Sequence, residues 1–308
     1  MDSLQWWMNR LDTLMGTQKK AAMSLAKTNR AYDAGSWALL KHAILAYYVD
    51  IFTNITKAIF DKAFYLDAFA GPGLNTIRGT DEVIFGSPLI AEFLPRAGKR
   101  FDRLILIEKD QESALSLKTL LPKAEVIQAD VNDQGITQAL DILKKSGDYP
   151  CLAFIDPEGL DLNWQTLEKV LRIWSDAIIN YQPDAVRRAV GSANSLKKTE
   201  NTRQTFRNKL TRFFGTTEWE NCVGEQDLFE LYLSQIQNCK EKIIPIKVAK
   251  SGSFYYYIIV AVKKTGGHQG WINVIHETKK KIEKTSSREA RKFIEIYRGR
   301  QKTILDHI

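Results

Sequence analysis

Apolar and polar positions along the chain fall into two patterns. Short, mostly apolar runs at residues 63–69, 103–107, 124–129, 151–155 and 176–181 have the length and the aromatic and β-branched content of buried strands. Between them, residues 89–94, 111–120, 136–145 and 164–174 carry apolar side chains at helical spacing. This β-α alternation predicts a parallel sheet. It stops at Pro183. Residues 184–240 read as helical, and strand-like runs return at 242–248 and 254–262. The intervening Ser251-Gly252-Ser253 turn predicts that these last two pair antiparallel. The fold class expected is α/β and Rossmann-like, with parallel strands, a terminal antiparallel hairpin and a helical insertion.

The division expected is a helical arm over 1–35, a main domain over 36–181 and 242–275, a basic helical insertion over 182–241, and a helical tail over 276–308. The arm reads either as a loosely docked segment or as an RNA-binding one. Ser36 is expected to cap a helix with Trp37, Leu40, Ile44, Tyr47 and Tyr48 on its apolar face, and Lys41 and His42 lie together in it.

Gly71-Pro72-Gly73 ends the first strand, where glycine permits positive φ and proline fixes its neighbour's dihedral. A helix opens at Gly86-Ser87-Pro88. Residues 74–85 between them form a polar insertion, either a lid or a disposable surface loop. Strand, glycine turn and helix start together predict a nucleotide site, because bare backbone N–H groups face the ligand there. A Gly-x-Gly alone specifies little; the strand ends add to it. Asp67, Glu108, Asp130 and Asp156 lie at or near the ends of four successive strands, so the sheet carries carboxylates along one rim. Gly71 and Gly73 would bring backbone close to a cofactor. Glu108 can accept from two ribose hydroxyls, and Asp130 from the exocyclic amine of an adenine. No Gly-Lys-Ser/Thr follows the turn, which excludes a P-loop.

Net charge is +8. From Arg187 to Arg212 there are eight Lys or Arg residues against Glu200 alone. Arg187, Arg188, Lys197, Lys198, Arg203 and Arg207 are therefore candidate phosphate contacts to RNA or DNA, the alternative being a solvated helix face. Cys151, Cys222 and Cys239 form no CxxC pair, so reduced thiols in a cytoplasmic protein are expected and no metal site is. The longest apolar run, 254–262, is too short to span a bilayer, and no membrane partner is expected.

Five parallel strands and a terminal hairpin form the layout of class I S-adenosylmethionine (SAM) methyltransferases. Enzymes of this kind that act on exocyclic amines carry Asp-Pro-Pro-aromatic after the fourth strand. The acid and a backbone carbonyl accept from the amine there, and the aromatic stacks on the base. Asp156 and Pro157 match, while Glu158 and Gly159 replace the second proline and the aromatic. Trp164 or Tyr181 is expected to supply the stacking ring.

More specifically, the chain resembles three-Cys-motif partner proteins, a bacterial and phage group with a methyltransferase-like fold. The matching residues are Trp37-x-x-x-Lys41-His42, Tyr65-x-Asp67-x-Phe69-x-Gly71-Pro72-Gly73, Gly86-Ser87-Pro88-Leu89-Ile90-Ala91 and Phe154-Ile155-Asp156-Pro157. They occur in order over residues 36–180. A more distant similarity is to RlmJ-type methyltransferases, which modify N6 of an adenine in large-subunit ribosomal RNA. That resemblance implies SAM contact by His42, Ser87, Glu108 and Asp130, and catalysis at Asp156. Phe69 stands where RlmJ-type enzymes hold a histidine.

The expected function is SAM-dependent methylation of an adenine amine in nucleic acid. The rival from another class is a degenerate methyltransferase fold serving as a scaffold with a three-Cys-motif partner protein. A nuclease ranks last, since no clustered acid-lysine metal motif occurs.

Overall fold

The computed structural model describes residues 5–7, 9, 19–35, 37–173, 175–249, 254–263 and 268–297. In chain order its elements are α1 (Lys19–Leu25), β1 (Tyr32–Ala34), α2 (Ala38–Thr56), β2 (Phe64–Asp67), β3 (Leu74–Ile77), β4 (Val83–Phe85) and α3 (Ser87–Phe93). There follow β5 (Arg103–Glu108), α4 (Gln111–Leu120), β6 (Glu125–Gln128), α5 (Ile136–Ser146), β7 (Cys151–Ile155), α6 (Trp164–Arg172) and β8 (Ser175–Tyr181). The remainder comprises α7 (Pro183–Asn194), α8 (Glu200–Phe214), α9 (Glu225–Gln237), β9 (Lys242–Ala249), β10 (Tyr255–Val262), α10 (His268–Glu283) and α11 (Ser287–Tyr297).

Seven strands form one sheet in the order β6-β5-β2-β7-β8-β10-β9. Strands β6, β5, β2, β7 and β8 are mutually parallel, and β10 runs antiparallel to both β8 and β9. This is the strand order of class I methyltransferases, as the alternation and the final pair of apolar runs predicted. Alternate residues of each strand enter opposite layers. Tyr65, Leu104, Leu106, Leu152 and Phe154 join one core with α2, α3 and α10. Leu66, Ile105, Ile107, Ala153 and Ile155 join the other with α5, α6, α8 and α9. A sheet covered on both faces explains why its central strands are near-continuous apolar runs.

Two expectations need correction. The N-terminal arm is not loosely docked: Trp6 and Trp7 lie within the first core, and Trp7 Nε1 donates to Thr285 Oγ1 at 2.8 Å. The polar insertion at 74–85 contains β3 and β4, which pair antiparallel, while β1 joins the outer side of β3 in parallel. Strands of three and four residues whose partner lies some forty positions upstream give almost no local signal. Ser36 and the Ser251-Gly252-Ser253 turn lie outside the described residues, so the helix cap and hairpin turn expected there do too. Among the described residues, no helix is long and apolar enough to cross a membrane, and no cluster of His, Cys, Asp and Glu could hold a metal ion.

Candidate active site

The sheet's strand order reverses between β2 and β7, and loops leaving the two strands on opposite courses open a crevice there. A cavity of about 810 Å³ occupies it. Its floor is the glycine turn, with Gly71 at φ 62° and Gly73 at φ 90°. Both values lie in the region that disfavours a side chain. The second glycine turn backs onto the first: Gly86 N donates to Gly73 O at 2.7 Å, and a Cβ on Gly86 would stand 2.9 Å from that oxygen. Only glycine at 86 allows this approach.

Asp67 does not line the cavity, which corrects its assignment to the cofactor. It is fully buried, and accepts from Tyr65 Oη at 3.1 Å and Phe69 N at 3.2 Å. Burial pushes its carboxyl up to about 7, against the opposing effect of hydrogen bonds from Ser87, Phe69 and Tyr65. Asp67 therefore shapes the turn from beneath, with Ser87 between it and the cavity.

Glu108 does reach the wall. Its Oε2 accepts from Gly71 N and its Oε1 from Asp110 N, both at 2.8 Å, and each oxygen keeps a second acceptor site. Asp130 is held the same way, its Oδ1 accepting from Asn132 N at 2.8 Å. His42 is a buried part of the wall whose Nδ1 finds no hydrogen-bond partner among the described residues. Burial, reinforced by adjacent Lys41, lowers its pKa to about 3, so the imidazole is neutral.

Asp156 is the best-supported acid in the cavity. Lys41 forms an ion pair with its Oδ2, and Asn180 Nδ2 donates to its Oδ1 at 2.7 Å. The next two residues are also engaged: Pro157 O accepts from Gln182 Nε2 at 3.1 Å, and Glu158 Oε1 accepts from Tyr32 Oη at 2.5 Å. The Glu158 bond pushes the Tyr32 hydroxyl up to about 12. β1 thus crosses the mouth of the cavity. Arg30, just before it, pairs with Asp110 at 2.9 Å and with Glu112 on the opposite side.

The expected stacking rings are in the core instead. Trp164 packs edge-on to Tyr232, and Tyr181 sits 5.1 Å from both Phe229 and Tyr232. The aromatic residues that line the cavity are Tyr32, Trp37, Phe69 and Tyr256. Sequence reasoning gave no role to Lys41, Asn180, Gln182 or Tyr32. It searched the strand ends for acids only. Asn180 near the end of β8 and Gln182 just past it were the signal available for two of the four.

The basic residues lie on a hairpin of α7 and α8 beside this cavity. α7 starts directly after Gln182, and Lys209 on α8 pairs with Asp161 in the cavity wall at 2.8 Å. Arg187, Arg188, Lys197 and Lys198 are exposed. Arg187 pairs with Asp184 at 2.6 Å, Lys198 lies 5.6 Å from the centre of the Phe206 ring, and Arg203 pairs with Glu200. Arg207 is half-buried. None of the six lines the cavity.

Carboxylates outnumber cations in the wall: Glu108, Asp110, Asp130, Asp156, Glu158 and Asp161 face Arg30, Lys41 and Lys109. Such a lining suits a ligand with hydroxyls, amines and positive charge, and is poorly suited to a polyphosphate.

No family model matches the chain, and no curated protein matches it. Among solved structures it is similar to a Legionella pneumophila protein of family DUF519, at 14% identity over 79% of this chain and 92% of that one, with a TM-score of 0.45. It is also similar to the plantazolicin methyltransferase BpumL in complex with SAH, at 10% identity over 84% and 98%, TM-score 0.39. A third is the precorrin-6y C5,15-methyltransferase of Geobacter metallireducens, at 13% identity over 72% and 87%, TM-score 0.32. At such identities and scores these likenesses say nothing of substrate, and the strand order stands on its own.

Proposed function

We propose that this protein is a SAM-dependent methyltransferase that modifies an exocyclic amine, that of adenine, in RNA or DNA. The observation that carries the reading is Asp156, fixed between Lys41 and Asn180 in the same cavity as the glycine turn, Glu108 and Asp130. Glu108 and Asp130 would hold the ribose and adenine of the cofactor, over backbone that Gly71 and Gly73 bring close, with neutral His42 offering its unpartnered nitrogen. Bound SAM supplies an electrophilic methyl: the amine's lone pair forms the N–C bond as the S–C pair stays on sulfur.

Asp156 accepts an N–H from the target amine. That nitrogen becomes positive as it is methylated, so the carboxylate stabilises the transition state more than the ground state. Asp156 then takes the surplus proton and passes it to water. The basic hairpin beside the mouth supports a polyanionic substrate. Three free cysteines support a reducing, cytoplasmic setting.

The ordered resemblance to three-Cys-motif partner proteins, with the more distant one to RlmJ-type enzymes, agrees with this reading. One observation favours the scaffold alternative: Tyr32 and Glu158 bond where a second proline and aromatic would stand. Labelled SAM with total RNA and DNA decides between them. Asp156→Asn should bind SAM as wild type does and lose on the order of a hundredfold in transfer. SAM binding without incorporation into either pool would favour the scaffold.

A further inference from the structure

Gln182 stands just past β8, in the cavity wall beside the Asp156-Pro157 edge. Its Nε2 donates to Pro157 O. A carbonyl oxygen can only accept, so the amide has one orientation, with Oε1 as its remaining polar end. Among the described residues no hydrogen bond to Gln182 Oε1 is made. Asn180, two positions earlier, is oriented by the same logic: Nδ2 faces Asp156, and its Oδ1 is buried with no hydrogen-bond partner among the described residues. Two amides, one in β8 and one just past it, thus hold the edge in place, but only that of Gln182 keeps an acceptor at the cavity.

An exocyclic amine has two N–H groups, and its lone pair points at the methyl donor only if both are held. Asp156 accounts for one. The backbone carbonyl that could take the other, Pro157 O, already carries the N–H of Gln182 and would have to share its second lone pair beside that donor. Gln182 Oε1, by contrast, has both lone pairs open among the described residues. Resting on the function proposed above, we infer that Gln182 Oε1 is the second acceptor for the target amine. Gln182 is then a catalytic residue that takes this role from the carbonyl it donates to. A once-methylated amine has a single N–H and leaves one of the two acceptors unpaired. Sites built to bond a substrate N–H reject the analogue that lacks it. The enzyme therefore selects unmethylated adenine and stops after one transfer.

The test uses one single-stranded oligonucleotide carrying adenine, N6-methyladenine or N6,N6-dimethyladenine at a single position, with wild type and Gln182→Met. Without cofactor, fluorescence anisotropy should show wild type binding the adenine form about tenfold tighter than the dimethyl form, the loss of one to two hydrogen bonds. Gln182→Met, left with Asp156 as acceptor, should keep only a few-fold of that preference yet bind the dimethyl form unchanged, which also shows that it is folded. With labelled SAM, the variant should lose about ten- to a hundredfold on adenine and little on N6-methyladenine. Equal losses on both would reduce Gln182 to a positioning residue acting through Pro157 and overturn the inference. So would a preference for adenine that the substitution leaves undiminished. If wild type transfers to none of the three, the amine-methylation reading fails and takes the role of Gln182 with it.

Discussion

Lys41 on the first turn of α2 and Asp156 at the end of β7 form an ion pair across 115 positions of sequence, with each side chain less than one-fifth exposed. The pair ties the helix that carries His42 to the acid proposed to hold the substrate. Replacing Lys41 with Met leaves a mostly buried carboxylate with Asn180 as its remaining partner, at a cost of about 1–3 kcal/mol. Lys41→Met should lower methyl transfer at least tenfold while calorimetry finds SAM affinity within a few-fold of wild type. An unchanged rate would separate the ion pair from the chemistry.

Glu108 has two jobs, and one substitution separates them. It holds the backbone of the glycine turn through Gly71 N and Asp110 N, and it is the proposed ribose ligand. Each charge-assisted bond is worth roughly 1.5–3 kcal/mol. Glu108→Ala should lower the melting temperature and reduce SAM affinity at least tenfold. Glu108→Gln keeps one acceptor and should recover part of both. Full SAM affinity in the alanine variant would remove Glu108 from the cofactor site.

Asp67 and His42 give opposite pH dependences of stability. The Asp67 carboxyl is raised to about 7 in the folded protein, so the folded state holds the extra proton between about pH 4 and 7. Its contribution to stability is complete in acid and is lost as pH rises through 7. His42 is lowered to about 3, so its contribution is complete above about 6.5 and is lost as pH falls toward 3. Both slopes act between about pH 4 and 6.5 and largely cancel there. Urea unfolding of Asp67→Asn should therefore reveal a protein that loses stability steeply on acidification. His42→Asn should lose it as pH rises from 4 to 7. Each effect is on the order of 4–5 kcal/mol across its window. Parallel curves for wild type and both variants would contradict these shifts.

The structure sorts the six basic candidates by availability. Arg188, Lys197 and Lys198 are exposed, whereas Arg203 is tied to Glu200 and Arg207 is half-buried. Neutralising Arg188, Lys197 and Lys198 together should reduce the log–log salt dependence of nucleic-acid binding by nearly three. Arg203→Gln should change it little. An unaltered slope in the triple variant would return the hairpin to an ordinary solvated surface.

The parallel strands were legible because burial on both faces makes their centres near-continuous apolar runs, as at residues 104–107. Their terminal carboxylates marked the rim, and Glu108, Asp130 and Asp156 do meet in one cavity. Asp67 carried the same signal but faces the interior. A period-two pattern places a side chain on one face of a sheet, without saying whether ligand or protein covers that face at the strand's end. Trp164 and Tyr181 misled for a related reason. An aromatic near an active strand end looks the same in sequence whether it meets a base or, as here, Tyr232. Lys41, Tyr32 and the β3–β4 hairpin depend on contacts between distant segments, which local periodicity does not encode.

The hydrogen bond from Trp7 to Thr285 spans 278 positions, and this sets an order of assembly. Trp6 and Trp7 emerge from the ribosome early but have their place in the core only when α10 and the turn after it exist. At roughly 5–20 residues per second that interval is about 14–56 s. During it, two large apolar side chains wait without their final neighbours, open to association with other chains. Completion of this core therefore waits for Thr285, and a chain cut short before it would leave the Trp7 indole without this acceptor however well the central sheet had formed.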